Sequence, residues 1–178
     1  KKHIYYETEK LDGSSATFFY NNGEFGVCSR NLELLETEGN TFWKVARELD
    51  LENKLKEYGF NLSIQGELIG EGIQGNPYKI KGQTVRFFNL FDIDLQEYHS
   101  LSVFKKTMEK LGLETVPVLN THFHLPDTID ELLLMADGKS ELNPNFDREG
   151  IVIRSLDRKI SFKVISNKEN VYNIDNIT

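Results

Sequence analysis

The 178-residue chain is 39% hydrophobic and 28% charged, the composition of an ordinary globular protein long enough to bury one core or, at most, two. Its single cysteine, Cys28, excludes an internal disulfide and a thiolate metal centre, and no apolar run reaches the roughly 18 residues of a membrane helix. A formal net charge of −7 excludes binding of nucleic acid through the whole surface; such contact would need Lys and Arg gathered in one cleft, or a further domain.

Residues 4–9 read as a strand running into Glu9-Lys10-Leu11-Asp12-Gly13-Ser14, where a lysine stands between short polar residues and a glycine turn at the expected edge of a sheet. A lysine amine attacks phosphorus only when unprotonated, so a site using it must strip that proton by desolvation or neighbouring positive charge. Residues 15–20 and 24–29 form a hairpin, because Asn21-Asn22-Gly23 is tight-turn chemistry. Residues 41–58 follow as one amphipathic helix, capped by Asn40 and ended by Gly59, with Phe42, Val45, Ala46, Leu49 and Leu55 on the buried face. Cys28, in an apolar strand, reads as packing.

Residues 62–68 are a strand leading into a loop with Gly70, Gly72 and Gly75. Glycines at that density exclude a helix or central strand, and the spacing fits neither standard nucleotide fingerprint, so the loop reads as structural. Residues 85–94 are an apolar strand in which strict alternation puts Phe87 and Phe91 on one face and Phe88 and Asp92 on the other. Ser102 is expected to cap a helix to Leu111, residues 115–119 to form a strand closed by Pro117, and Thr128-Ile129-Asp130-Glu131 to open a helix to about Ala136 as a capping box. His122 and His124 have no carboxylate or cysteine at ligand spacing and read as structural. Residues 149–154 and 159–165 form two strands around Asp157, and the asparagine-rich tail from Asn170 is expected to fray. Strands paired in sequence, with no regular strand-helix alternation, predict an α+β fold of mostly antiparallel sheets.

Single residues in this pattern have plain alternatives. Lys-x-Asp-Gly also makes surface turns, Glu67 fits a solvated strand position, Glu149 could pair with Arg148 or Arg154, and phenylalanines such as Phe91 usually fill cores. Six ordered stretches weigh more: the Lys10 motif, Ser29-Arg30-Asn31, Gly66-Glu67-Leu68 with Gly70 to Tyr78, Phe91-Asp92-Ile93, Glu149 to Ile153, and Ser161 to Ser166. They resemble motifs I, Ia, III, IIIa, IV and V of the ATP-dependent RNA ligases, over roughly residues 5 to 168.

That resemblance implies an α+β nucleotidyltransferase domain, of ATP-grasp-like ligase type with helices flanking mostly antiparallel sheets, over residues 1–168, and a polar tail over 169–178. The chain opens at Lys1, only nine residues before the lysine of motif I, so it is expected to be a fragment of a longer ligase with a further flanking domain; with no membrane-length apolar run it is expected to be cytoplasmic, and it is expected to be monomeric. The implied reaction forms lysyl-AMP on Lys10, passes AMP to a 5′-phosphate end and seals that end to a 3′-hydroxyl in RNA repair. ATP and Mg²⁺ or Mn²⁺ are the implied cofactors, and RNA ends, including nicks in a duplex, the implied partner. Lys163 would contact the α-phosphate, with Arg154 and Lys168 as weaker basic neighbours. Arg30 and Glu67 would hold the ribose hydroxyls with Ser15 nearby, Phe91 or else Phe88 would stack on the adenine, the backbone at Glu9 and Leu11 would read it, and Glu149 would position the metal or its waters. Ile165 departs from relatives that carry a second lysine there. The alternatives are a DNA ligase or capping guanylyltransferase domain, or a non-catalytic nucleotide-binding or nucleic-acid-binding module of the same fold, which would have no need of Lys10.

Overall fold

The computed structural model describes residues 3–166 and 173–176. In chain order these form β1 (Tyr5–Lys10), β2 (Ser14–Asn21), β3 (Glu24–Cys28), α1 (Thr41–Glu48), α2 (Leu51–Tyr58), β4 (Leu62–Gly70), β5 (Gln83–Asp92), β6 (Glu97–Tyr98), α3 (Leu101–Leu111), β7 (Val118–Phe123), α4 (Ile129–Leu134), β8 (Gly150–Ser155), β9 (Ser161–Ile165) and β10 (Asn173–Asn176). The chain divides into two compact units, residues 1–12 with 116–178, and residues 13–115. Every pairing between named strands is antiparallel, as the α+β reading expects. No helix among the described residues is long and apolar enough to cross a membrane.

The first unit is a five-stranded sheet in the order β10-β9-β8-β1-β7. Lys10 is therefore not at a sheet edge, as its glycine turn suggested; it ends an interior strand, flanked by β7 and β8. Tyr5, Ile151, Ile153 and Val164 on one face pack with Leu132 and Ala136 into a small core. The Thr128 hydroxyl accepts from the Glu131 amide and so starts α4 as the capping box predicts. The strand expected at 115–119 begins only at Val118, because Pro117 has no N–H to give a ladder; its carbonyl accepts the Glu9 amide instead. The tail is not uniformly frayed either: Asn173–Asn176 pairs with β9, Asn173 opposite Ile165. Lys168 and Asn170 lie outside the described residues.

The second unit holds a sheet in the order β3-β2-β4-β5-β6. Asn22 and Gly23 both take positive φ, 50° and 85°, and close the predicted hairpin. The expected helix over 41–58 is two helices. Asp50, at φ 54°, is left-handed and breaks the ladder, so that Trp43, Val45 and Ala46 from α1 and Leu51 and Leu55 from α2 are each buried. The cap of α3 is Ser100 rather than Ser102: its hydroxyl accepts from the Val103 amide. The glycine-rich loop closes the β4–β5 hairpin. At Gly70, φ is 127° and a Cβ would collide with the Gly82 carbonyl, so only glycine fits.

One irregularity in this sheet decides which way its aromatic rings point. Between Gln65 and Gly66 the β4–β5 register slips, Gln65 facing Asn89 and Gly66 facing Phe87, and Phe88 is the extra residue of a bulge. A bulge flips the parity of every later position. Phe87 therefore lies on the core face, fully buried and edge-on to Phe18 at 6.0 Å between centroids, whereas Phe91, opposite Ser63, lies on the other face. The strict alternation that put Phe87 and Phe91 together fails for this reason. Replacing Phe87 by alanine should cost about 3–5 kcal/mol of stability, read as a lower denaturant midpoint with an unchanged slope.

Candidate active site

In β1 the residues alternate. Tyr5, Glu7 and Glu9 share the face of the small core, and Tyr6, Thr8 and Lys10 the opposite one. Lys10 pairs in register with Gly150, and Thr8 with Val152, which in turn faces Lys163 of β9. Lys10 and Lys163 thus emerge from one side of the sheet. Glu149, immediately before β8, brings a carboxylate oxygen to 3.3 Å from Lys10 Nζ. Burial pushes the Glu149 carboxyl above its ordinary range, against the pull of Lys10; nearby Asp12 adds to the rise and Lys163 opposes it. Lys10, Asp12, Glu149 and Lys163 therefore form one electrostatic cluster. The alternative partners Arg148 and Arg154 are occupied elsewhere: Arg148 donates to the carbonyls of Met135, Ala136 and Asp137, and Arg154 to the Thr8 hydroxyl.

Arg154 shares the face of Lys10 but is only 3% exposed. Its guanidinium donates to the Thr8 hydroxyl and so links β8 to β1. Glu9 is 1% exposed. Its amide is spent on Pro117 and its carboxylate on the Ser140 hydroxyl at 2.6 Å and the Glu141 amide at 2.7 Å. Leu11 is also buried. Ile165 faces Gly150, in the same row as Lys10, so the lysine found there in some relatives would have joined this cluster.

The second unit gathers a different set. Ser15 faces Glu67 across β2 and β4, and Glu67 faces Arg86 across β4 and β5. Because of the bulge, Phe91 stands on this same face. Asn89 donates to Gln65, and Gln65 donates to the Ser15 hydroxyl, so a chain of amides fixes the polar row beside Glu67. Phe91 is half-buried and packs edge-on against Tyr98 at 5.1 Å; Phe88, the bulge residue, is half-buried too. Arg30 is exposed in the bend past β3, two residues beyond Cys28, which pairs with Thr17.

Each unit therefore assembles part of the expected site: Lys10, Glu149 and Lys163 in one, Ser15, Glu67 and Phe91 in the other. Sequence reasoning missed Asp12, Gln65, Asn89 and Ser140. The first two carried a signal, Asp12 within the lysine motif itself and Gln65 as part of the period-2 polar row Ser63, Gln65, Glu67. Among the described residues no group of three or more His, Cys, Asp or Glu can hold a metal ion. Glu149 with Asp12 instead suits Mg²⁺ or Mn²⁺, which take oxygen ligands, need only one or two carboxylates and complete their shell with water and phosphate.

Residues 3–165 match the family model described as RNA ligase. The chain belongs to the RNA ligase family. Among solved structures it is similar to the RNA ligase of Naegleria gruberi: a lysine-to-alanine variant with ATP and Mn matches at TM-score 0.89 and 41% identity over 95% of this chain and 51% of that chain. The structures of that ligase with PPi and of a glutamate-to-alanine variant with AMP and Mn match at the same values. The chain thus spans about half the length of these relatives. No match was found among curated protein sequences.

In this RNA ligase domain, Glu7 of β1 yields a pH prediction. It is 8% exposed, and burial raises its carboxyl against the weaker pull of Arg148. A carboxyl whose folded pKa lies above its unfolded value of about 4.5 keeps its proton longer in the folded state, so it costs stability increasingly as pH rises from about 4.5 through the folded pKa. Glu7→Gln should therefore be more stable than the parent at pH 7. The difference should vanish toward pH 4, as followed by denaturant midpoints across that range.

Proposed function

We propose that this chain is the adenylyltransferase part of an ATP-dependent RNA ligase, with Lys10 as the residue that carries AMP. The observation that supports this most directly is Lys10 Nζ at the end of an interior strand, 3.3 Å from the Glu149 carboxylate and on the same face as Lys163. Spacing supports it too. The Naegleria structures include alanine variants of a lysine, of an aspartate two positions later and of a glutamate fifty-seven positions after that lysine. Lys10, Asp12 and Glu67 repeat those intervals. Another pair of variants there, a glutamate and a lysine fourteen positions on, repeats the interval from Glu149 to Lys163.

In the proposed first step, neutral Lys10 Nζ attacks the α-phosphorus of ATP. A P–N bond forms, the bond to the β-phosphate oxygen breaks, and pyrophosphate leaves with the electron pair. The amine loses one proton to solvent as the P–N bond closes, while the Glu149 carboxylate, 3.3 Å from Nζ, orients the amine. Lys163 places positive charge where the α-phosphate oxygens gather negative charge. Glu149 and Asp12 would hold a Mg²⁺ or Mn²⁺, which would supply further positive charge to the phosphates. On the second unit Glu67 and Arg30 take the ribose hydroxyls with Ser15 nearby, and Phe91 stacks on the adenine. The bulge supports the choice of Phe91, because it turns that ring to the face of Ser15 and Glu67.

Next, an RNA 5′-phosphate oxygen attacks the same phosphorus, and Lys10 leaves and regains its proton. A 3′-hydroxyl then attacks the 5′-phosphate, loses its proton and expels AMP. These two sealing steps, in cytoplasmic RNA repair, are proposed for the protein at the length of its relatives.

Incubation with ATP and Mg²⁺ or Mn²⁺ should raise the intact mass by one AMP. Lys10→Ala should show no gain, and labelling retained in that variant would exclude Lys10 as the nucleophile. Lys163→Ala should slow adduct formation about 10²–10³-fold, the usual loss when one donor to developing charge is removed.

A further inference from the structure

We infer that Glu9 is a positioning residue for the reaction: gripped by the Ser140 hydroxyl and the Glu141 amide, its carboxylate ties the segment that ends in Glu149 to the strand that ends in Lys10. The inference rests on the proposed roles of Lys10 and Glu149.

Residues 138–148 run between α4 and β8 as a short irregular hairpin, held internally by Ser140 N to the Phe146 carbonyl, Arg148 N to the Gly138 carbonyl, the turn bonds of Phe146 N and Asn145 N to Asn143, and a bridge and ion pair between Lys139 and Asp147. Such a segment needs outside anchors to set its position. Two are visible at its C-terminal end. Arg148 donates to the carbonyls of Met135, Ala136 and Asp137 just past α4, and the Glu149 carbonyl accepts the Ser166 amide.

The third anchor is Glu9, and it holds the beginning of the segment. Ser140 Oγ donates to one carboxylate oxygen at 2.6 Å while accepting the Leu142 amide at 3.1 Å, and the Glu141 amide donates to the other oxygen at 2.7 Å. These bonds join residues 131 and 132 positions apart.

An acid at this place is costly. It is 1% exposed on the face where Tyr5, Ile151 and Ile153 build the core, and an apolar side chain there would avoid the desolvation. What the carboxylate provides instead is a fixed position. Glu9 and Lys10 leave β1 on opposite faces, so Glu9 holds the backbone from the core side without entering the site. The same carboxylate holds the loop that leads directly into Glu149, the residue that meets Lys10. A catalytic pair displaced by about 1 Å can lose about 10²-fold in rate, so loosening this clamp should act on the chemical step.

The test compares Ser140→Ala, which deletes one donor, with Ser140→Thr, which keeps the hydroxyl, and with Glu9→Gln, which keeps shape and one acceptor. Single-turnover AMP labelling with ATP and Mn²⁺, followed by intact mass, should be about tenfold or more slower at saturating ATP in Ser140→Ala, with half-saturation within about twofold of the parent. Ser140→Thr should restore most of the rate, and Glu9→Gln should fall in the same direction as Ser140→Ala. Acetic anhydride labelling, read by peptide mass, gives a measure independent of activity: Lys10 should acylate severalfold faster in Ser140→Ala, with Lys44 and Lys105 unchanged. Unchanged labelling rate and unchanged Lys10 acylation in folded Ser140→Ala and Glu9→Gln would overturn the inference. A parent that forms no adduct, while the variants still change Lys10 acylation, would count against the ligase reading and leave the clamp standing.

Discussion

The bond between Lys10 and Glu149 is the constraint on which the rest of the first unit depends, because it joins residues 139 positions apart. It forms only if β1 and β8 pair in a single register, with Lys10 opposite Gly150. A slip by one residue would send Lys10 into the core and Glu9 out of it. Interior placement of β1 between β7 and β8 resists such a slip, since both of its edges carry hydrogen bonds.

Charge on this strand is sorted by face. The cations Lys10, Lys163 and Arg154 occupy one side, while Glu7 and Glu9 lie on the side of the apolar core. Glu7 and Glu9 are turned inward, Glu9 held by Ser140 and a backbone amide and both lying in the field of Arg148, so the acids that face Lys10 and Lys163 are Glu149 and Asp12. Burial raises Glu7, Glu9 and Glu149 alike. Stability is given up at each of them, and at Glu9 and Glu149 the return is a carboxylate held where the proposed chemistry needs it.

In the second unit a single inserted residue does comparable work. Without the bulge at Phe88, the ring of Phe91 would share the face of Phe87 and be drawn into the core beside Phe18. With it, the face of Ser15, Gln65 and Glu67 acquires an aromatic ring, and Asn89 continues the amide chain that orients Ser15. Bulges are common beside functional surfaces because they re-aim side chains without breaking a sheet.

Much of this was legible in the amino-acid sequence. The hairpin turn at Asn22-Gly23, the Thr128 capping box, the antiparallel α+β class and the motif residues themselves follow from local chemistry, where a few neighbouring residues decide the outcome. Other features were not. The break at Asp50, the bulge at Phe88 and the capture of the Glu9 carboxylate by Ser140 are settled by which surfaces meet, and period-2 or period-3.6 patterns carry no record of an inserted residue or of a partner 131 positions away. The burial of Arg154 and its bond to Thr8 belong with them: its charge was plain from the sequence, its partner 146 positions away was not. Sequence alone determined which chemical groups are present and in what order. Tertiary structure decided which of them are desolvated, paired and aimed, because desolvation and pairing depend on neighbours that only folding supplies.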